Sequence, residues 1–204
     1  MDREIGEEMV KVCQKLIKML ELASKAFRMP TEKAIMEVEK VRKEARKYSS
    51  ELTRVLVNKG STSEQGREGM KPYLSMVSSF DRMGYNIDGI LDRLKKMAEE
   101  QILFTDRGIK EINDTFQDTL RLLENLPDLI LTQNKLLAQQ LREKGKSIFE
   151  MMNRYSEEHE QRLVEGFCVP KASPIYLAFL ESLKGIVAHT LEISGKIVFL
   201  SAKA

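Results

Sequence analysis

The feature that most constrains this chain is a series of apolar stripes at helical spacing, divided by Pro and Gly residues. Along six segments an apolar residue recurs every three or four positions, which is the pattern of an amphipathic helix. No segment alternates apolar and polar residues as a half-buried strand does. Because each helix must bury its stripe against another helix, the sequence predicts an all-α fold.

Capping and helix-breaking residues predict the ends of the first two helices. The first helix is expected from about Asp2 to Met29, where Pro30 ends it. Thr31 is an N-cap candidate for the second helix, and Gly60 is a C-cap candidate at its end.

The remaining four helices are placed by the same signals. The third helix is expected to begin near Met70–Pro72 and to end around Gln101–Phe104. Thr105 with Asp106 caps the fourth helix. The fifth is expected as one long helix from about Asp128 to Glu165, and Pro174 opens the sixth.

The helix-breaking residues recur in the same order in both halves of the sequence. Each half has a Pro-containing break, a helix that ends in Gly, a loop, and a Pro near the start of the next helix. The signals are Pro30, Gly60 and Pro72 in the first half and Pro127, Gly166 and Pro174 in the second. Such self-similarity indicates an internal repeat. The prediction is therefore two tandem antiparallel three-helix bundles with six long helices, residues 1–104 and 105–204, forming one compact unit.

The charge balance and the apolar runs exclude several classes of protein. With 33 Lys+Arg against 31 Asp+Glu, the formal charge is only +2, whereas nucleic-acid binders carry a clustered basic excess. In the most basic stretch, 39–47, Glu39 and Glu44 interleave with the cations, which favours a salt-bridged helix face. The first residues lack the basic and apolar regions of a secretory signal, so none is expected, and no apolar run approaches the roughly 18 residues of a membrane span. We expect a cytoplasmic protein that reaches a membrane only through a partner.

No grouping of catalytic residues is evident. The two histidines, His159 and His189, are expected well over 10 Å apart at about 1.5 Å per helical residue, too far for a shared metal site. Cys13 and Cys168 have no CxxC spacing and are expected to be free thiols. Neither a Gly-x-Ser-x-Gly turn nor a phosphate-binding Gly-rich loop is present. The sequence therefore favours a protein that is not an enzyme.

Acidic residues form a polar column on the third helix. Asp81, Tyr85, Asp88 and Asp92 follow one another at steps of four, three and four residues. Carboxylates on one helix face hold a cation when another helix supplies more oxygen ligands, so Asp81, Asp88 and Asp92 are candidate metal ligands. The alternative is a solvated helix face whose negative charge is balanced by nearby Arg and Lys side chains.

The third helix also carries a motif that resembles a known family. Phe80–Ile87, which includes Arg82, Gly84, Tyr85 and Asn86, is similar to the signature of the PhoU family of phosphate-transport regulators. That signature is roughly Leu-Glu-Arg-Ile-Gly-Asp, with Asn-Ile shortly after.

Two further segments support the resemblance. The stretch with His159 and Arg162 resembles a His-x-x-Arg-Leu-x-x-Gly motif of PhoU-like domains attached to sodium/phosphate cotransporters. Leu183–Ile193 resembles the second family signature, with Lys184 inside it and His189 at a position where the family often has His. The resemblance covers the whole chain in architecture.

The resemblance implies a fold of two three-helix bundles and a non-enzymatic role in phosphate transport and phosphate homeostasis. It also implies a phosphate transporter or its sensor kinase as partner, and a homodimer. The family binds iron or zinc clusters through Glu/Asp-x-x-x-Asp pairs. Here the first pair keeps Asp81 but has Tyr85, and the second has Lys184 and Ala188. A metal-binding bundle, or a helical scaffold or dimerisation module without a phosphate role, are the alternative functions.

Overall fold

The computed structural model describes residues 3–61 and 63–203. Within these ranges the chain forms six long helices and one short helix, and no strand. The helices are α1 (Arg3–Arg28), α2 (Glu32–Gly60), α3 (Glu64–Glu100), α4 (Asp106–Glu124), α5 (Leu126–Thr132), α6 (Lys135–Val164) and α7 (Ser173–Lys203). The predicted all-α fold with six long helices is confirmed.

Helices α1, α2 and α3 pack together as an antiparallel bundle. Ion pairs across the interfaces run in opposite sequence directions, as antiparallel neighbours require. They are Lys59–Glu4 and Lys15–Glu44 between α1 and α2, and Lys95–Glu39 and Arg46–Asp88 between α2 and α3. The acids of the basic stretch on α2 thus pair with lysines of α1 and α3, so the salt bridges join helices.

The second bundle consists of α4, α6 and α7, with α5 packed mainly on α1. Gly145 of α6 faces Leu191 of α7, and His159 of α6 contacts Ser173 at the start of α7. These two contacts show that α6 and α7 are antiparallel.

Two predicted helix boundaries differ from the structure. The third helix begins at Glu64 rather than near Met70–Pro72, because the Ser63 hydroxyl accepts a hydrogen bond from the Gly66 N–H and caps it. Pro72 therefore lies inside the helix.

The predicted fifth helix is in fact interrupted. Gln133 adopts a left-handed conformation with φ 52°, which ends α5. The Asn134 side chain then accepts hydrogen bonds from the N–H groups of Leu136 and Leu137 and caps α6. An asparagine N-cap inside an apolar pattern is the signal that marks this break.

The two bundles share a core along α3 and α7, which pack along much of their length. At one end of this core the rings of Phe27, Phe104, Phe116 and Phe179 contact one another, with centroids 5.2–6.4 Å apart. This cluster joins α1, the α3–α4 loop, α4 and α7. The Phe side chains therefore link elements of both bundles in one apolar core.

Small residues let α3 and α7 approach closely at their crossing. A Cβ built on Gly185 would lie 2.5–2.6 Å from the side-chain atoms of Asn86. A Cβ on Gly89 would lie 3.2 Å from the Ser182 hydroxyl. A side chain at position 185 therefore could not fit unless Asn86 or a helix moved.

None of the helices in the described part of the chain combines the length and the apolar character needed to cross a membrane.

Candidate functional site

A buried carboxylate lies at the centre of the second bundle. Glu111 of α4 is 4% exposed. Its two oxygens accept hydrogen bonds from Arg162 of α6, at 3.1 and 2.6 Å, and Oε2 accepts one from the Tyr176 hydroxyl of α7 at 2.5 Å. Arg107 donates to Oε1 at 2.9 Å. The carboxylate therefore connects all three helices of the bundle through charged hydrogen bonds.

His159 extends this cluster towards the α6–α7 loop. Its ring stacks on Tyr176 with centroids 4.1 Å apart, and Nε2 lies 2.9 Å from the Ser173 hydroxyl. The Cys168 sulfur lies 3.8 Å from Nδ1. Burial, and secondarily the charge of Arg162, lowers the pKa of His159 below its ordinary value. His159 is therefore neutral at pH 7, and its role here is to pack and to hydrogen-bond.

Burial also affects the tyrosine of this cluster. Burial, together with the hydrogen bond to Glu111, raises the pKa of Tyr176. Tyr176 therefore stays protonated and donates a hydrogen bond to the carboxylate. We call Glu111, His159, Arg162, Ser173 and Tyr176 the Glu111 cluster.

The structure thus brings together two of the predicted motif positions, His159 and Arg162. It adds Glu111 and Tyr176, which the sequence reasoning did not single out. The available signal was Glu111 itself, an acidic residue beside Ile112 on the apolar stripe of α4. A carboxylate at a core position needs a buried partner, and Arg162 is the cation that supplies it.

The three candidate metal ligands of α3 have separate environments. Asp81 accepts a hydrogen bond from the Ser49 hydroxyl of α2 at 2.5 Å. Asp88 lies between two arginines of α2, with Arg42 Nε at 2.6 Å and Arg46 Nη2 at 2.9 Å. Asp92 is exposed.

These residues do not fit a cation well. Two guanidinium groups already balance the single charge of Asp88, and a cation placed beside them would be repelled. Tyr85, at the second acidic position of the family motif, is 65% exposed with the Arg46 guanidinium 5.7 Å from its ring centroid. Among the described residues, no group of three or more His, Cys, Asp or Glu is arranged to hold a metal ion. The metal prediction for Asp81, Asp88 and Asp92 stays a prediction.

The other motif positions lie on α3 and α7, and Asn86 lies at the crossing of these two helices. Asn86 donates to the carbonyl of the exposed Arg82 at 3.0 Å and packs against Gly185. A Cβ built on Gly84 would lie at an ordinary contact distance of 3.8 Å from Leu16. Lys184 pairs with Glu181 on its own helix at 2.7 Å. Asn86 and Gly84 therefore serve helix packing in the contacts observed, whereas the Lys184 pair lies within one helix.

His189 belongs to a second polar group between α3 and α7. Its Nδ1 lies 3.2 Å from Glu192 Oε2, Lys196 donates to Oε1 at 2.5 Å, and the Ser79 hydroxyl of α3 donates to Oε2 at 3.0 Å. Burial opposes ionisation of Glu192, but the hydrogen bonds from Lys196, His189 and Ser79 outweigh it and lower the pKa of Glu192 to about 2. This carboxylate is therefore ionised at neutral pH and ties α7 to α3.

Comparison with known proteins rests on solved structures, because no family model and no curated protein matches the sequence. The phosphate transport system regulatory protein PhoU from Streptococcus pneumoniae has a TM-score of 0.83 at 15% identity, over 98% of this chain and 95% of that one. PhoU from Pseudomonas aeruginosa has a TM-score of 0.71 at 13% identity, over 98% and 97%. A putative PhoU-like phosphate regulatory protein from Shewanella oneidensis has a TM-score of 0.62 at 12% identity, over 98% of this chain and 100% of that one.

These likenesses span both bundles from end to end. The chain therefore has the PhoU fold, and the fold implied by the motif resemblance is confirmed.

Proposed function

We propose that this chain is a non-enzymatic accessory protein that regulates phosphate transport and phosphate homeostasis by binding a phosphate transporter or its sensor kinase. The observation that carries the proposal is the likeness to a phosphate transport system regulatory protein over 98% of the chain. A likeness of fold does not by itself determine function, so the proposal also needs a surface that can bind a partner.

An exposed apolar surface at one end of the molecule supports the proposal. Five apolar side chains in or beside three loops are each more than half exposed: Met29, Leu103, Val164, Phe167 and Val169. Exposed apolar groups in one region mark partner-binding surfaces more often than scattered ones do. We call these five residues the loop-end surface.

Contacts between the loops place them at the same end. Lys171 of the α6–α7 loop pairs with Glu100 at the end of α3, at 3.1 Å. Phe27, near the end of α1, contacts Phe104 of the α3–α4 loop with ring centroids 6.0 Å apart. The Glu111 cluster lies just beneath, since His159 and Ser173 flank the α6–α7 loop. The buried, charged Glu111 cluster therefore lies directly beneath the loop-end surface, which we propose as the partner-binding surface.

The test is affinity capture of the tagged protein from detergent-solubilised membranes of its source organism, followed by mass spectrometry. We expect a phosphate permease, a phosphate cotransporter or an associated sensor kinase to be recovered. Phe167→Ser should reduce that recovery. Leu136→Ser is the matched control: Leu136 is 64% exposed, similar to Phe167 at 70%, but lies at the opposite end of α6, roughly 40 Å away along the helix axis.

Deletion of the gene should alter phosphate uptake or phosphate-responsive expression. Recovery of the protein alone from both phosphate-rich and phosphate-starved cells, with unchanged uptake and expression on deletion, would contradict the proposal. That result would favour the alternative function, a helical scaffold without a phosphate role.

Homodimer formation and a cytoplasmic location remain part of the proposal. The wide apolar surface of α7 does not require a second subunit, because α3 of the first bundle covers it. Sedimentation analysis of the purified chain measures the oligomeric state directly.

A further inference from the structure

We propose that the first bundle binds a small organic phosphate in the groove between α2 and α3. The groove has a volume of about 570 Å³. This lies within the range of about 300–1,000 Å³ that is typical of small-molecule sites. The inference stands on the residues of the groove and does not rest on the proposed role in phosphate transport.

One wall of the groove is cationic and rich in hydroxyl groups. It is formed by α2, where Arg46, Ser50, Thr53 and Arg54 line the groove. Steps of four residues place Arg46, Ser50 and Arg54 on one face of the helix. Thr53 lies beside them, with its hydroxyl donating to the Ser49 carbonyl at 3.0 Å. Arginine and hydroxyl donors are the groups that bind phosphate oxygens, since a guanidinium presents several N–H groups in a planar fork.

The acidic residues of the groove already have partners. The Asp88 carboxylate pairs with both Arg42 and Arg46, and Asp81 accepts from Ser49. Arg54 has no ion pair among the residues that the structure describes. With three arginines against two aspartates, the lining carries a net charge of +1.

Donors remain available for an incoming anion. Arg46 is 56% exposed at its side chain and contacts Asp88 through one terminal nitrogen, so most of its five N–H donors are free to bind another group. Arg46 and Arg54 are eight residues apart, about 12 Å along the helix axis, with Ser50 midway between them. Their long side chains can therefore reach a phosphate held over Ser50.

The opposite wall is apolar, which favours an organic phosphate over the free ion. Leu16 of α1 and Phe80 and Gly84 of α3 line it, with Leu16 and Phe80 buried at its floor. On the α2 side, the exposed Val57 adds an apolar side chain beside Arg54. At the rim, the exposed Tyr85 ring lies beside the Arg46 guanidinium. An apolar or planar body can pack against this wall while its phosphate contacts the arginines.

The same substitutions that make the site unsuited to a cation make it suited to an anion. Tyr85 stands where the family motif has an acid, and Arg42 and Arg46 neutralise Asp88. The groove thus carries a positive rather than a negative balance of charge.

The test is isothermal titration calorimetry of the full chain with AMP, ATP, adenosine and inorganic phosphate. We expect AMP or ATP to bind, adenosine to bind at least tenfold more weakly, and inorganic phosphate to bind more weakly than the esters. Arg54→Gln should weaken ester binding about tenfold or more, because it removes charged hydrogen bonds to the phosphate. Val57→Ser should reduce the preference for the esters over inorganic phosphate.

Arg154→Gln is the matched control. Arg154 is exposed and lies 5.9 Å from the Tyr155 ring centroid, much as Arg46 lies near Tyr85, but it does not line the groove. This variant should bind the esters as the wild type does. Since Arg54 is exposed and makes no ion pair in the described structure, Arg54→Gln is expected to fold normally.

Three results would overturn the proposal. The first is no ester binding at millimolar concentrations, and the second is ester binding that Arg54→Gln leaves unchanged. The third is inorganic phosphate binding as tightly as the esters, which would make the free anion the ligand and leave the apolar wall no part in binding. Because none of these measurements involves a transporter or a kinase, their failure is distinguishable from failure of the proposed function.

Discussion

Removing the buried carboxylate of Glu111 should destabilise the whole chain. The Glu111→Ala variant leaves the Arg162 guanidinium, whose side chain is only 11% exposed, without its counter-ion in the core. Breaking a buried ion pair on one side costs about 3–5 kcal/mol of unfolding free energy. For a chain of this size each kcal/mol lowers Tm by about 2–4 °C, so the expected decrease is about 6–20 °C.

The measurement is urea unfolding followed by circular dichroism at the helical band, together with a thermal scan. The loss is a large fraction of the total stability, which is about 5–15 kcal/mol for a typical domain. If Glu111→Ala does not fold, Tyr176→Phe provides a milder test. It removes one donor to the same carboxylate, which costs about 1.5–3 kcal/mol.

A double variant distinguishes the cost of leaving Arg162 unpaired from the cost of losing the Glu111 side chain. In the double variant Glu111→Leu with Arg162→Met, both charges are gone and similar volume is filled, so most of the stability should return. Asp114→Asn is the control on the same helix, since it disrupts the exposed Lys110–Asp114 pair and should leave Tm unchanged. A Tm for Glu111→Ala equal to that of Asp114→Asn would refute the reasoning.

Three further outcomes are expected. Gly185→Ala should lower the unfolding free energy by about 1–3 kcal/mol in urea titrations, because the new Cβ meets Asn86 at 2.5–2.6 Å; Gly195→Ala, with nothing within 4 Å, should instead be neutral or stabilising. Stability should fall as the pH drops from about 4.5 towards 2, because Glu192 ionises in the folded state with a pKa of about 2 but in the unfolded state near its ordinary value; Glu192→Gln should flatten that part of the profile. Stability should also begin to fall as the pH drops below about 6.5, because unfolding releases His159 from a site that lowers its pKa; His159→Gln should remove this dependence.

Part of the candidate sites could be predicted from the resemblance to a family motif. His159 and Arg162 were selected for their motif, and they do lie together in the core of the second bundle. Glu111 and Tyr176 were missed because they are distant in sequence, and only the packing of α4 against α6 and α7 brings them within hydrogen-bonding distance. Asn134 was missed for another reason: one capping side chain breaks a helix while the apolar stripe continues past it.

The sequence by itself determined the all-α class and the presence of six long helices. Apolar spacing, Thr31 and Thr105 are local signals, because a helix and its N-cap depend on residues three or four positions apart. Gly60 marked the end of α2 but is its last helical residue, and Ser61 is the C-cap. An up-and-down arrangement follows from the short connections between helices.

Only the tertiary structure decided the charge of the sites. In the sequence, Asp81 and Asp88 belong to an acidic column that favours a cation. In the folded chain, α2 places Ser49, Arg42 and Arg46 against those acids, and Arg54 of the same helix gives the groove lining its net charge of +1. The physical reason is that charges interact through space, and the residues that set the sign of a site come from a different helix.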